Sequence, residues 1–193
     1  MYQYILASGS PRRKELLEQI GLSFSILPST KEEVINTQIP EELVSELAFQ
    51  KAMDIATQSE TGSIIIGADT IVCHNEKILG KPKNKEEAVL MIEDLQGHCH
   101  DVYTGVCIII KEKDEKITIS KFCENTKVEI GTLTREEIIK YVATGEPLDK
   151  AGAYAIQGKF AKYVNRIIGD YYNVVGFPLS RFCKELKNLG IEI

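Results

Sequence analysis

Small and basic residues near the N-terminus have the composition of an anion-binding loop. The stretch Ser8-Gly9-Ser10-Pro11-Arg12-Arg13 follows a short apolar run. A strand that leads through small residues into a helix presents backbone N–H groups and the positive end of the helix dipole to an anion. Two guanidinium groups there would match phosphate oxygens with paired hydrogen bonds. Taken alone, the segment is equally compatible with an ordinary capped helix and solvated arginines.

Three acidic residues are candidates for a divalent-metal site. Asp69 follows an apolar run, and Glu32 and Glu33 stand side by side in a polar stretch. If one glutamate converges with Asp69, two carboxylates and the phosphates of a substrate would form an oxygen site of the kind that holds Mg²⁺ or Mn²⁺. The alternatives are a turn aspartate and a solvated acidic pair. The three histidines lack the H-E-x-x-H spacing of a zinc site, and we expect them to be structural.

Two lysines could neutralise a negatively charged ligand. Lys51 stands four residues after Leu47 and four before Ile55, inside an apolar helical stripe, so its stem should point towards the protein interior. A buried ammonium group needs an anionic partner, unless the side chain extends to the edge of the stripe. Lys81 lies between Gly80 and Pro82, which is also the composition of a plain surface turn.

Hydrophobic periodicity and capping residues predict the elements that must position these side chains. We predict helices from Pro11 to a C′ residue at Gly21, from near Pro40 to Ala56, from the Asn84 cap to about Leu95, from the Thr134 cap to before Gly145, and from Pro178 to Leu189. We predict strands from Tyr4 to Ala7, Ser63 to Ala68, Val102 to Ile110 and Ile117 to Ile130. Asp69 should then stand at the C-terminal end of a buried strand, where ligands of open α/β sheets usually bind.

This order of elements predicts an α/β fold with a mixed sheet flanked by helices, which includes a long hairpin and forms two lobes around a central cleft. The 193 residues are expected to form a single domain.

Composition excludes several classes of partner. The net charge of -5 disfavours long nucleic acids and anionic membranes, so a polyanionic ligand would need a local group of cations. The five cysteines form no C-x-x-C pair, and no secretory signal or membrane-spanning run is present in the sequence. We therefore expect a cytoplasmic protein.

The motifs together resemble the Maf family of nucleotide pyrophosphatases over almost the whole chain. The matching stretches are Leu6 to Leu17, Glu32-Glu33, Gln50-Lys51-Ala52, Gly67-Ala68-Asp69-Thr70, Leu79-Gly80-Lys81-Pro82, Asp149 to Gly158 and Asp170 to Leu179. The resemblance implies a fold similar to that of the inosine triphosphate pyrophosphatases. It also implies hydrolysis of a nucleoside triphosphate to the monophosphate and pyrophosphate with a divalent metal.

The resemblance further assigns roles to single residues. Asp69 would accept the proton of the attacking water and, with Glu33, hold the metal. Phosphate contacts would come from Ser8, Arg12, Arg13, Lys51 and Lys81, with Lys51 and Lys81 counted among the catalytic groups. Arg12, Thr70 and Gln157 resemble the pattern of the family members that act on dTTP and UTP. A glutamine amide suits this role, since it can pair with the edge of uracil or thymine.

Two other functions remain open from the sequence. Maf proteins are also linked with inhibition of septum formation, so the chain could be a nucleotide-binding regulator of cell division. It could also remove damaged purine nucleotides, as the inosine triphosphate enzymes do. Similar proteins are often homodimers, and we carry a homodimer as an expectation from that analogy.

Overall fold

Strands and helices alternate along the chain in the computed structural model, which describes residues 2–193. The strands are β1 (Gln3–Leu6), β2 (Phe24–Ile26), β3 (Ser63–His74), β4 (Lys77–Leu79), β5 (Cys99–Lys111), β6 (Ile117–Ile130) and β7 (Val164–Ile168). The α-helices are α1 (Pro11–Gln19), α2 (Pro40–Ala56), α3 (Lys85–Leu95), α4 (Arg135–Ala143), α5 (Tyr171–Val175) and α6 (Leu179–Asn188). Short 3-10 helices span Glu146–Asp149, Ala151–Ala153 and Lys159–Tyr163.

The strands form one seven-stranded sheet in the order β2-β1-β3-β5-β6-β7, with β4 paired to β3. β1 runs parallel to both β2 and β3, and Tyr4 lies opposite Phe24 on one side and Ile64 on the other. β4 is antiparallel to β3, and β7 is antiparallel to β6. The predicted mixed α/β fold is therefore confirmed. No helix within residues 2–193 is long and apolar enough to cross a membrane.

The chain divides into two compact units, and β3, β5 and β6 contribute residues to both. Unit 1 contains the chain up to Asp69, Thr104–Glu124 and Gly176–Ile193. Unit 2 contains Thr70–Tyr103 and Asn125–Val175.

In unit 1, helix α2 packs very closely on strands β3 and β5. A Cβ atom added to Gly67 would lie 2.8 Å from the backbone nitrogen of Ala52, and one added to Gly105 would lie 2.7 Å from that of Ser45. Any larger residue at these glycines would force the helix away from the sheet. The apolar core here consists of Ile5, Ala7, Ala48, Ala52, Ile55, Ala56, Ile65, Cys107 and Ile109.

Unit 2 has a separate core that is rich in aromatic rings. Phe160 is fully buried, and its ring centroid lies 4.9 Å from that of Tyr141 and 5.1 Å from that of Tyr154. The Nε2 atom of His100 lies 2.7 Å from the hydroxyl oxygen of Tyr154, and both residues are buried. His100 therefore adds a polar contact to this aromatic core.

Capping residues at the helix ends account for the agreement between the predicted and the observed helices. Helix α1 ends at a Schellman motif, in which Gly21 has a φ of 78° and the Leu22 N–H donates to the Leu17 carbonyl over 3.2 Å. Thr134 and Glu137 form the predicted capping box of α4. At α3, Asn84 accepts from the Glu87 N–H, but the Glu87 carboxylate accepts from Lys83, so this box is only half formed.

The predicted position of Asp69 at the end of a strand is wrong. Strand β3 continues through Asp69 to His74, which places this aspartate inside the strand. The residues that follow, Thr70-Ile71-Val72, are β-branched, and β4 supplies a partner for them through the pair Val72–Leu79. The strand therefore extends past the point where its fully buried run stops.

Candidate active site

Residues 7–10 join β1 to α1 without regular structure, and Arg12 and Arg13 lie in the first turn of α1. Ser10 occupies the N-cap position of α1 with an extended backbone, and Pro11 begins the helix, as predicted. The Ser10 side chain makes no capping hydrogen bond. The hydroxyl oxygen of buried Ser8 instead accepts from the Ser10 N–H over 3.3 Å and from Nη1 of Arg13 over 3.0 Å.

Arg13 is held at two points of its guanidinium group. Besides the bond from Nη1 to Ser8, its Nε donates to the backbone carbonyl of Gly176 over 3.0 Å. Burial lowers the pKa of Arg13, while the neighbouring carboxylates of Asp69 and Glu33 act in the opposite direction. Because an arginine remains protonated at any physiological pH, this group is a fixed positive charge near both carboxylates.

Lys51 joins the two predicted metal ligands. Its Nζ lies 2.9 Å from Oε1 of Glu33 and also donates a hydrogen bond to Oδ1 of Asp69. The side chains of Lys51 and Asp69 are 19% and 15% exposed, whereas that of Glu33 is 46% exposed. The structure therefore brings Glu33, Lys51 and Asp69 together, and it distinguishes Glu33 from Glu32 by this contact.

The close packing of α2 on β3 explains why these side chains meet. Lys51 directly precedes Ala52, whose backbone touches the position where a side chain at Gly67 would stand. Asp69 lies two residues beyond Gly67, and side chains two residues apart in a strand project from the same face. The missing side chain of Gly67 thus brings the lysine within reach of the aspartate.

Apart from Arg12, which is half-buried in α1 of unit 1, the remaining predicted residues lie in unit 2. Thr70 is half-buried in β3, Lys81 is exposed between β4 and α3, and Gln157 is exposed in a turn between two 3-10 helices. The Gly152 N–H donates to the Gly80 carbonyl over 3.1 Å, so the backbone beside Lys81 is joined to the 3-10 helix Ala151–Ala153. Their contacts with a substrate stay predictions.

Gly176 also belongs to the site, because its carbonyl group orients Arg13, and the sequence does not predict this role. A backbone acceptor has no residue-type signature, and Gly176 lies 163 residues further along the chain. The sequence offered only its place in the Asp170 to Leu179 stretch.

The donor set of this cluster suits a hard divalent cation. Glu33 offers its carboxylate oxygens from the connection between β2 and α2 and Asp69 offers its own from β3, and both contact the same Lys51 ammonium group. Mg²⁺ is usually bound by one or two carboxylates together with substrate phosphates. Within residues 2–193 no group of three or more His, Cys, Asp or Glu could hold a metal by itself, so phosphate oxygens would have to complete the coordination.

Comparison with known proteins gives a consistent family. The profile of the Maf-like protein family matches residues 3–189. A dTTP/UTP pyrophosphatase of Lachnoclostridium phytofermentans is 51% identical over 193 residues, which cover 100% of this chain and 98% of that protein. One of Bacillus anthracis is 52% identical over 194 residues with the same coverage. A solved HAM1 protein from Coxiella burnetii has a TM-score of 0.46 and 14% identity, covering 67% of this chain and 73% of its own.

Proposed function

This chain belongs to the Maf-like protein family, and we propose that it hydrolyses dTTP and UTP to the nucleoside monophosphate and pyrophosphate. The observation that carries the proposal is the contact of Lys51 with both Glu33 and Asp69, beside the fixed charge of Arg13. Relatives that share about half of its residues over the full length bear the name dTTP/UTP pyrophosphatase.

In the proposed reaction, Asp69 accepts a proton from a water that attacks the α-phosphorus. The bond between the α-phosphorus and the bridging oxygen to the β-phosphorus breaks, and pyrophosphate leaves with that oxygen. Asp69 suits this role because its side chain is mostly buried and held by Lys51. A positioned base of this kind contributes roughly 10²- to 10⁴-fold to a rate.

Positive side chains would stabilise the charge that moves onto the leaving pyrophosphate. Arg13 is already oriented by Ser8 and Gly176, so little reorganisation is needed when the charge develops. We assign phosphate contacts also to Ser8, Arg12 and Lys81, following the family pattern.

We further propose that Glu33 and Asp69 would hold a divalent cation, Mg²⁺ or Mn²⁺. When bound, it would supply positive charge that polarises the phosphate oxygens. Lys51 would then contact the phosphates while it keeps its hydrogen bond to Asp69, so the site would not carry a net negative charge that repels the nucleotide.

For the choice of base we propose Gln157, together with Thr70 and Arg12. A side-chain amide has both donor and acceptor groups, which match the two carbonyls and one N–H of uracil or thymine.

A cytoplasmic location and a homodimeric state belong to the same proposal. Cell fractionation tests the location, and light scattering of the purified chain tests the dimer.

A product-resolved screen of nucleotides tests the function. The purified chain is incubated with dTTP, UTP, ITP and a phosphomonoester in the presence of Mg²⁺ or Mn²⁺, and pyrophosphate and orthophosphate are measured separately. We expect pyrophosphate from dTTP and UTP, with ITP a poorer substrate. A preference for ITP would favour the purine activity. Orthophosphate alone, released only from the phosphomonoester, would contradict the proposal, and nucleotide binding without any product would favour a regulator.

A further inference from the structure

The segment 27–39 carries Glu33 but has no helix or strand of its own. It connects β2 to α2, and most of its residues are exposed. A segment of this kind does not define the place of a side chain through its own backbone hydrogen bonds. The position of Glu33 must therefore be set by contacts with a more rigid element.

Gln50 of helix α2 makes such a contact with the residue after Glu33. Its Oε1 accepts from the backbone N–H of Val34 over 2.9 Å, and its Nε2 donates to the backbone carbonyl of Val34 over 2.7 Å. The Val34 nitrogen belongs to the peptide group that begins at Glu33. Two hydrogen bonds from one planar amide fix both the distance and the rotation of this stretch of backbone.

Asp54 holds the beginning of the same segment to the same helix. Its Oδ2 accepts from the Ser29 hydroxyl over 2.8 Å, and its Oδ1 lies 3.2 Å from Nζ of Lys31. The hydrogen bond from Ser29, reinforced by Lys31, lowers the pKa of the buried Asp54. Asp54 and Gln50 therefore hold different parts of the segment: Asp54 holds residues 29–31, and Gln50 holds the backbone beside Glu33.

The direct ion pair between Lys51 and Glu33 is not sufficient to keep the Glu33 carboxylate in place during the reaction. The Glu33 carboxylate is almost half exposed, and exposed ion pairs contribute little stability. Substrate phosphates and a cation would also compete for both partners of this pair. A neutral amide that binds only backbone groups keeps its contacts when the charges around it change.

We propose that Gln50 is a positioning residue that holds the Glu33 carboxylate beside Asp69, an inference that rests on the proposed function for its consequence in catalysis. Gln50 contacts neither the substrate nor the cation in this account. It acts through the Val34 backbone, so its effect must depend on the presence of Glu33.

The test compares Gln50→Leu with the wild-type chain and with Gln96→Leu. The Gln96 side chain accepts from the backbone N–H of Leu133 over 3.2 Å and makes no contact with the 27–39 segment or with Asp54, so it is a matched control for the loss of a glutamine amide that binds backbone. For Gln50→Leu we expect faster hydrogen exchange at the Val34 amide and a concentration of Mn²⁺ for half-maximal activation about 10-fold higher. The KM for dTTP at saturating Mn²⁺ and the melting temperature should stay close to those of the control.

Mn²⁺ binding in the presence of dTMP, followed by the electron paramagnetic resonance signal of free Mn²⁺, gives a readout that does not need turnover. Gln50→Leu should weaken this binding, and the same change in a Glu33→Gln background should have no further effect. An equal loss in both backgrounds, or unchanged Val34 exchange, would overturn the inference. If the wild-type chain releases no pyrophosphate, the proposed function fails, while exchange and Mn²⁺ binding still decide whether Gln50 positions Glu33.

Discussion

The two units hold their candidate functional residues by different means. In unit 1 the charged side chains hold one another, as Lys51 does with Glu33 and Asp69. In unit 2 the candidate side chains of Lys81 and Gln157 are exposed, and it is the backbone around them that is constrained. The difference indicates that unit 1 provides a preformed charged site, whereas unit 2 provides a shaped surface.

The backbone constraint in unit 2 is clearest beside Gln157. A Cβ atom added to Gly158 would lie 2.5 Å from the carboxylate carbon of Glu146, so a larger residue would displace this side chain. The same carboxylate accepts from the Lys159 N–H over 3.1 Å and from the Tyr141 hydroxyl over 3.1 Å. We infer that substitutions in the charged cluster of unit 1, at Glu33 and Asp69, will affect all substrates alike, and that substitution of Gln157 in unit 2 will change the preference among them.

The largest effect is expected for Asp69→Asn. Turnover should fall by about 10²- to 10⁴-fold for dTTP and UTP alike, because the amide cannot accept the proton of the attacking water. Nucleotide binding should persist, since Arg13 and Lys51 remain. Steady-state pyrophosphate release and equilibrium binding of dTTP measure the two effects. Asp114→Asn, in an exposed turn, is the control, and a normal turnover of Asp69→Asn would remove the central residue of unit 1 from the mechanism.

The next largest effect is expected for Glu33→Gln. If Glu33 is a cation ligand, the Mn²⁺ concentration that half-activates the enzyme should rise by about 10- to 100-fold. Removal of a residue that only orients a metal ligand already weakens metal binding by this much. Titration of activity with Mn²⁺ measures it. Glu32→Gln is a matched control because Glu32 is the adjacent exposed glutamate. A larger shift for Glu32→Gln than for Glu33→Gln would reverse the assignment.

The third prediction concerns the stability of unit 2 in acid. Burial, with a smaller contribution from His74, lowers the pKa of His100 to about 3. Between this value and the ordinary value of 6.5, only the unfolded chain takes up the proton, so stability is lost as the pH falls below 6.5. Acidification from about pH 6.5 to about pH 5 should cost about 2 kcal/mol through this residue.

Urea unfolding of His100→Gln at several pH values checks this expectation. The variant should be less stable at neutral pH, because Tyr154 loses its partner, but its stability should depend less on pH. His98→Gln, at an exposed position, should keep the wild-type dependence. The same slope in all three proteins would show that His100 is not the group that titrates.

The smallest effect, and the one that tests unit 2 as a selective surface, is expected for Gln157→Ala. Loss of one or two hydrogen bonds to the base should lower kcat/KM for dTTP by about 10-fold and leave that for ITP nearly unchanged. The ratio of the two constants is the measurement, and Gln38→Ala in unit 1 is the control for an exposed glutamine. An equal loss on both nucleotides would mean that unit 2 does not select the base.

The sequence predicted the local features of the fold well because they depend on neighbouring residues. Pro11, Gly21 and Thr134 marked helix ends that the structure confirms. The same approach failed at Asp69, since the continuation of β3 depends on pairing with β4. Local patterns indicate where an element begins, but a distant partner can extend it.

The site shows the same limit. The helical spacing of Lys51 predicted its inward direction, and the structure places its ammonium group between two carboxylates. The sequence could not separate Glu32 from Glu33, because the path of the 27–39 segment depends on the bonds that Gln50 and Asp54 make across the fold. The hydrogen bond from Arg13 to the Gly176 carbonyl could not be predicted from the sequence either.

Hydrolysis of dTTP in water enriched in oxygen-18 tests the central claim most directly. If Asp69 activates a water for attack on the α-phosphorus, mass spectrometry should find one heavy oxygen in the dTMP and none in the pyrophosphate. Heavy oxygen in the pyrophosphate, with dTMP unlabelled, would mean attack at the β-phosphorus. That result would contradict the proposed attack on the α-phosphorus and the role of Asp69 in it.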